Sequence, residues 1–533
     1  MPVHSDHRLA LGIATLLELA AVALAGSERL PGGVEDARAA GQDRPNIVLI
    51  QTDDQTAREL SARVMPNTER LLGRRGTTFG GYVVTTAQCC PSRASLLTGQ
   101  YAHNHGVTSN NVGYPGLVDK ENVLPAWLQR VGYHTIHVGK FLNGYQRFAD
   151  APSEVAPGWE EWHTVHGSSQ YYDYNYFVNG GVAHHGTQPG DHVTHVLNRD
   201  AVTLVKQYAP RGLPFYLQLD ERAPHVGGPS DPFGDCGGAA FPKPADEGLF
   251  ADARLPKPPS FNESDMTDKP AFLKGAPRLG AVEQAGAATR WRCALASLAG
   301  VDRGVRKVYE AIRAAGELRK TVFVFVSDNG FFFGEHRINR GKVFPYEEAS
   351  RQPLLIRLPR RYRDGAQRVR HVGKPVANID LAPTILDLAG AEPCARGNDC
   401  RTMDGRSLMP LLTRSGGWRR GRGVLTEYRE PNLGRYSTCE FAGTRTRRAI
   451  YTEHYRVVDP STGNCVDSTP PQAERYDLKS DPFELENLCF GGVVGSCPTD
   501  AQQLDLEVRL ATLRDCAGVA GRDRRVGGQP FCE

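Results

Sequence analysis

Two stretches of this chain are apolar at consecutive positions rather than alternating ones: Asn46-Ile47-Val48-Leu49-Ile50 and Thr321-Val322-Phe323-Val324-Phe325-Val326. A strand with water on one face alternates, whereas an unbroken β-branched and aromatic run is a strand buried on both faces. Both runs stop in polar residues, Gln51-Thr52-Asp53-Asp54 and Ser327-Asp328-Asn329-Gly330. Tyr133–Val138 and Phe215–Leu219 are further strands, leading into Gly139-Lys140 and Ala223-Pro224-His225. Helical patterns lie between them at Met65–Arg74, Val123–Arg130, Thr194–Gln207, Trp291–Ala315 and Leu381–Leu388, and a short helix is expected over Gln55–Ser61. Pro353–Leu358 is one more strand. Strands alternating with helices predict an α/β fold in which helices sandwich a large, mostly parallel sheet.

The pattern changes near Trp418. Gly423–Tyr428, Arg448–Thr452 and Tyr455–Val458 are short strands, and Ala501 to about Leu513 is a helix, which predicts a smaller antiparallel sheet with one helix. A chain of 533 residues exceeds what one small core holds, so two domains are expected, at 45–415 and 416–533. Residues 1–25 have the form of an export signal: a weakly basic start at His7-Arg8, an apolar run, and Ala23-Leu24-Ala25 before Gly26 as a small-residue cleavage site. Residues 26–44 are a polar linker, and no segment is long and apolar enough to be read as a membrane span. A net charge of +3 and scattered arginine clusters give no reason to expect a nucleic-acid partner. The expected location is secreted or periplasmic, and twelve cysteines fit it. Cys89 and Cys90 aside, local closure predicts Cys394–Cys400, Cys439–Cys465, Cys489–Cys497 and Cys516–Cys532, with Cys236–Cys293 closing a longer loop. Val226 to about Gly280 lacks periodicity and is expected to be a surface excursion.

In a parallel sheet the carboxyl ends of the strands share one edge, where open α/β folds place their ligands. Asp53-Asp54, Lys140, His225 and Asp328-Asn329 all fall there. Adjacent carboxylates repel, so they need a cation or good helix caps. Two aspartates, a third aspartate and an asparagine amide suit a hard divalent cation, and a donor set without histidine disfavours zinc. Near these lies Cys89-Cys90-Pro91-Ser92-Arg93-Ala94-Ser95-Leu96-Leu97-Thr98-Gly99. Pro91 suits the first helical position and Gly99 a left-handed stop, so a short helix would aim its free N–H groups at the cysteines. The plain alternative is a buried cysteine beside a helix cap.

Cys-x-Pro-Ser-Arg followed by Leu-Thr-Gly resembles the signature of type I sulfatases, in the alkaline phosphatase superfamily. Tyr476-Asp477-Leu478, Asp481-Pro482 and Glu486-Asn487-Leu488 resemble that family's closing segment, so the likeness spans nearly the whole mature chain. The resemblance implies that Cys89 is oxidised to formylglycine by a formylglycine-generating enzyme. It implies one Ca²⁺, less often Mg²⁺, on Asp53, Asp54, Asp328, Asn329 and the modified residue 89. It implies that Arg93 holds the formylglycine and that Lys140, His225 and Lys342 bind sulfate oxygens; His336 joins the expected substrate contacts as part of the same positive charge. The hydrate would attack sulfur, cations would offset charge on the sulfate oxygens, and a second hydroxyl would expel sulfate, an exit that a thiol lacks. Gly-Lys-aromatic-Leu-Asn at Gly139–Asn143, the double cysteine and His103-Asn104-His105 are similar to N-acetylglucosamine-6-sulfatases and heparan endosulfatases. Many sulfatases have a histidine where this chain has Leu142. The expected substrate is a sulfated amino sugar or glycosaminoglycan. A phosphonate or phosphate ester hydrolase with the same site, or a non-catalytic binder of sulfated glycans, are the alternatives.

Overall fold

The strand Asn46–Thr52 is buried at every residue, and its period of two decides where the side chains go. Ile47 and Leu49 join one core layer with Tyr216, Val322 and Val324, while Val48 and Ile50 join the other with Leu217, Phe323 and Phe325. Helices Cys89–Thr98, Leu124–Arg130 and Leu381–Ala389 close the first layer. Val193–Tyr208 and Ala281–Ala314 close the second. Both faces of the sheet are therefore covered, which is why its central strands carry no polar alternation.

The computed structural model describes residues 44–533 apart from 149–153, 168–169, 229–235, 237–238, 364, 366, 398, 415–417, 420, 431–437 and 460. The expected export signal and nearly all of the linker lie outside the described residues. No helix among the described residues is long and apolar enough to cross a membrane.

The large sheet has ten strands. At its centre Asn46–Thr52 runs parallel between Phe215–Asp220 and Thr321–Ser327, with His134–Gly139 and Glu161–Val165 parallel beyond Phe215–Asp220. The flanks pair antiparallel, Tyr174–Val178 and Gly181–His185 on one side, Leu354–Arg357 and Thr77–Phe79 on the other, except that the edge strand His371–Val372 joins Thr77–Phe79 in parallel. Parallel pairing thus holds at the centre and the sheet as a whole is mixed. Gly139 ends its strand at φ 121°, where an added Cβ would stand 1.9 Å from the carbonyl oxygen of Asp220. Only glycine lets the neighbouring strand come that close.

A second sheet of four antiparallel strands comprises Val424–Arg429, Thr438–Arg445, Ala449–Val458 and Cys465–Asp477, with the helix Ala501–Leu513 packed on it. The two short strands expected at 448–452 and 455–458 are one strand, broken in sequence pattern by a register shift between His454 and Arg456. The five disulfides pair as local closure predicts. Other expectations need correction. Over 55–61 only a single turn forms, Ala57–Glu59, because the Glu59 carboxylate turns back to accept the Thr56 N–H. The long helix begins at Ala281, ten residues before Trp291, through an alanine-rich stretch whose first turns face water and so lack apolar periodicity. Aromatics at 171–177 include the strand Tyr174–Val178.

Candidate active site

Register brings the strand ends into one row. Thr52 pairs with Ser327, Gln51 with Asp220, and Gly139 with Asp220. The next residues, Asp53, Asp328 and Lys140, therefore emerge side by side. Asp54 takes a left-handed backbone, φ 70°, tolerated by aspartate better than by most side chains. Its N–H donates to Asp328 Oδ1 at 3.2 Å. Carboxylate oxygens of Asp53, Asp54 and Asp328 lie within 4.8 Å of one another, all buried. The Asn329 amide donates through Nδ2 to Asp54 Oδ1 at 2.6 Å, while its buried Oδ1 has no hydrogen-bond partner among the described residues.

The signature helix starts at Cys89, two residues before Pro91, after an extended Gln88. Cys89 thus sits in the first turn rather than ahead of it. Pro91 still costs nothing, because first-turn N–H groups lack intrahelical partners. Gly99 stops the helix in the left-handed conformation at φ 69°. Cys89 is 1% exposed, with Sγ 3.3 Å from Asp53 Oδ1 and 2.7 Å from Lys342 Nζ. Burial, with Asp53 beside it, pushes the thiol up to about 12, so the unmodified cysteine is a poor nucleophile at neutral pH.

Cations hold the carboxylates in place. Lys140 Nζ donates to Asp53 and Lys342 Nζ to Asp54. Arg93 donates from Nε to Asp328 Oδ2 at 2.8 Å and lies 3.2 Å from Asp220 Oδ1. Against the cost of burial, Lys140, His225, Arg93 and Lys342 keep the Asp53 carboxyl well below the usual range. Burial and the neighbouring Asp53 instead push Asp328 up to about 6. His225 comes within 4.8 Å of ligand atoms of Asp53 and Cys89, and its Nε2 is 3.9 Å from Asp54 Oδ2. Its Nδ1 is 2.8 Å from the Val226 carbonyl and 3.2 Å from Arg222 Nη2. Burial pushes the ring down to about 3, so it is uncharged at neutral pH.

Asp53, Asp54, Cys89, Arg93, Lys140, His225, Asp328, Asn329 and Lys342 are thus brought together. His336 is not. It is fully buried against Glu263 and Glu348, with Nδ1 2.7 Å from Glu263 Oε2, in a separate charged group. Leu142 is 2% exposed and puts no proton-transfer group where a histidine was looked for. Sequence reading passed over Asp220, which binds Arg93 and His137; a carboxylate directly after a buried strand was its signal. It also passed over Asn110, whose side chain accepts the Cys90 N–H at 2.9 Å while its own N–H donates to Gln88. Asn110, Lys140, Asn143 and His166 line a cavity of about 130 Å³ beside the helix start.

The donor chemistry fits a divalent cation: three carboxylates converge on one buried space, and the amide of Asn329, which touches Asp54, has a buried oxygen without a partner among the described residues.

Comparison with known proteins agrees with this layout. Residues 45–391 match the sulfatase family model, and residues 334–512 match the C-terminal domain described for N-sulphoglucosamine sulphohydrolase. The chain is 30% identical over 532 residues to human N-acetylglucosamine-6-sulfatase, covering 90% of this chain and 86% of that protein. It is 32% identical to the Drosophila melanogaster extracellular sulfatase SULF-1 homolog over 80% of this chain, and spans 36% of that relative's length. Among solved structures it is similar to one bound to its substrate D-glucosamine-2-N,6-O-disulfate. The TM-score is 0.66, the identity 24%, and the match covers 88% of this chain and 97% of the other.

Proposed function

The chain belongs to the sulfatase family, and on that premise we propose that it hydrolyses sulfate esters of amino sugars or glycosaminoglycans. The observation that carries this reading is the contact of Asp53 and Lys342 with the Sγ of Cys89, beside the three-carboxylate set to which Asp53 belongs. A protein of this kind would be exported, as the extracellular relative's name suggests for that protein.

Asp53, Asp54, Asp328 and Asn329 would hold a Ca²⁺, with residue 89 beside them. A formylglycine at position 89 supplies an oxygen nucleophile and a second hydroxyl for sulfate release, and the cation supplies positive charge next to them. The chain's own groups do the rest. Lys342 already donates to the atom at position 89, so it would stabilise an anion there and charge growing on the sulfate. Arg93 ties Asp328 and Asp220 together and keeps the carboxylate frame from splaying. Lys140 lies between Asp53 and the small cavity, placed to meet a sulfate oxygen. His225, uncharged and with Nε2 3.9 Å from Asp54, faces the site and would meet a sulfate oxygen there. Burial of all these groups strengthens each electrostatic contact.

The test pairs two measurements on one preparation: peptide mass spectrometry of residue 89, and turnover of nitrophenyl sulfate, N-acetylglucosamine 6-sulfate, nitrophenyl phosphate and nitrophenyl phosphonate. An aldehyde at 89 with sulfate turnover foremost is the expected result. Phosphonate turnover exceeding sulfate would reassign the substrate, and an aldehyde without any turnover would leave a binder.

A further inference from the structure

The loop that delivers Lys342 runs from Gly330 to Tyr346 and holds three non-glycine residues at positive φ: His336 at 50°, Arg337 at 58° and Val343 at 91°. Val343 is β-branched and adjoins Lys342. Such a backbone persists only where the surroundings impose it. On the site side, the Val343 N–H donates to Ala87 at 3.0 Å. On the far side stands the charged group that took His336. Its ring stacks on Tyr346 with centroids 4.3 Å apart. Nδ1 reaches Glu263 Oε2 at 2.7 Å and Nε2 lies 3.7 Å from Glu348 Oε2. Glu484 enters from beyond the last strand of the small sheet and accepts the Glu347 N–H at 2.8 Å. Ligand atoms of His336, Glu348 and Glu484 lie within 4.8 Å of one another. His336 Nε2, Glu348 Oε2 and Glu484 Oε1 are all buried without a hydrogen-bond partner among the described residues.

We propose that Glu484 and His336 are positioning residues, closing a clamp on this loop that holds Lys342 against position 89. The clamp rests on the catalytic assignment of Lys342 made above. Lys342 sits between its two anchor points, six residues after His336 and four before Tyr346. The three partnerless atoms then have a common explanation. Burial, together with Glu347 and Glu348, drives the Glu484 carboxyl well above the usual range, so it keeps its proton. Burial opposes a charge on His336, but Glu263 and Glu348 overcome it and push the ring up to about 10. Two donors, a carboxylic O–H and an imidazolium N–H, thus stand within 4.8 Å of the Glu348 carboxylate, and no foreign ion is required. Arg58 at 3.6 Å from Glu348 and Lys269 at 3.0 Å from Glu263 offset the remaining carboxylate charge. A segment of the small sheet's connection thereby fixes a lysine at the large sheet's edge.

The experiment compares Glu484→Ala with Glu484→Gln, since glutamine keeps both a donor for Glu348 and an acceptor for the Glu347 N–H. Glu484→Ala should speed amide exchange at Val343 by about tenfold or more, and lower kcat by about 10- to 30-fold with KM within about twofold. Glu484→Gln should restore both to near wild type. In a Lys342→Ala background, Glu484→Ala should cost less than about twofold further, the mark of action through the same residue. Should Glu484→Ala not fold, Glu484→Asp, too short to reach Glu348 and Glu347 together, takes its place. Unchanged exchange at Val343, an additive loss with Lys342→Ala, or a stoichiometric divalent ion that disappears with His336→Ala would each overturn the clamp. The exchange measurement needs no turnover, so failure of the hydrolase reading and failure of the clamp remain distinguishable.

Discussion

The loop 330–346 contributes to two buried charge assemblies, through His336 and through Lys342, and they are satisfied in opposite ways. Around His336 the acids and bases can close on one another, because one extra proton on Glu484 supplies the missing donor. At the sheet edge no proton does this. Arg93, Lys140 and Lys342 already point at Asp53, Asp54 and Asp328, yet the Asn329 oxygen stays without a donor and the carboxylates still crowd one space. Buried charge is common to both. What distinguishes a site for ligands from a structural junction is a shortfall that the chain cannot fill from its own side chains.

The sharpest test of that contrast removes one atom from the sheet edge. Cys89→Ala should lower kcat on the order of 10⁶-fold, the scale seen on losing a nucleophile, with an unchanged melting temperature, because Cys89 is not part of the carboxylate frame. Next comes the cation. Dialysis against a chelator should abolish turnover, and Ca²⁺ at about 100 times its Kd should restore it and stabilise the fold by about 2.7 kcal/mol. The same treatment of His336→Ala protein should give the same calcium gain; a loss of that gain would mean that the His336 assembly controls the ion as well as Lys342. Lys342→Ala should cost about 10²- to 10³-fold in kcat, as for loss of a preorganised donor, and an effect on KM alone would remove Lys342 from the chemistry.

A third charged contact should move stability and leave kcat alone. His103 lies 3.0 Å from Glu427 and from the Cys516 carbonyl, tying the turn after the signature helix to the small sheet. Although burial opposes it, Glu427 pushes the ring from 6.5 up to about 9. A raised folded value means the contact stabilises fully below pH 6.5 and is lost as pH rises through about 9. The stability gap between wild type and His103→Gln should therefore shrink over that window, by at most about 3 kcal/mol, in thermal melts. The smallest effect belongs to Cys90→Ala, with kcat within about threefold of wild type; a loss equal to that of Cys89→Ala would move the nucleophile to the wrong neighbour.

The parallel centre of the sheet was legible because its strands are apolar at successive positions, and the disulfides because partners lie close in sequence. The strand ends likewise announced the carboxylates. His336 misled for a physical reason: a histidine near Lys342 in sequence says nothing of which side of the loop it faces, and positive φ at 336 and 337 turns it away. Glu484 could not be found at all, since its partners Glu347 and Glu348 are more than a hundred residues away and join it only through tertiary packing. Asp220 was within reach, and was hidden by attention to His225 five residues on.

Burial of Cys89 also fixes an order of events in time. With the residue 1% exposed, inside a helix and beneath Lys342, no modifying enzyme can grip the segment 89–99 in the finished protein. On the modification proposed above, oxidation at 89 would have to precede collapse of the sheet around it. Each chain would then be committed while still unfolded: a molecule that folded first would keep its thiol, look native and stay silent for its lifetime. The specific activity of a preparation would record the outcome of that race rather than the quality of the fold.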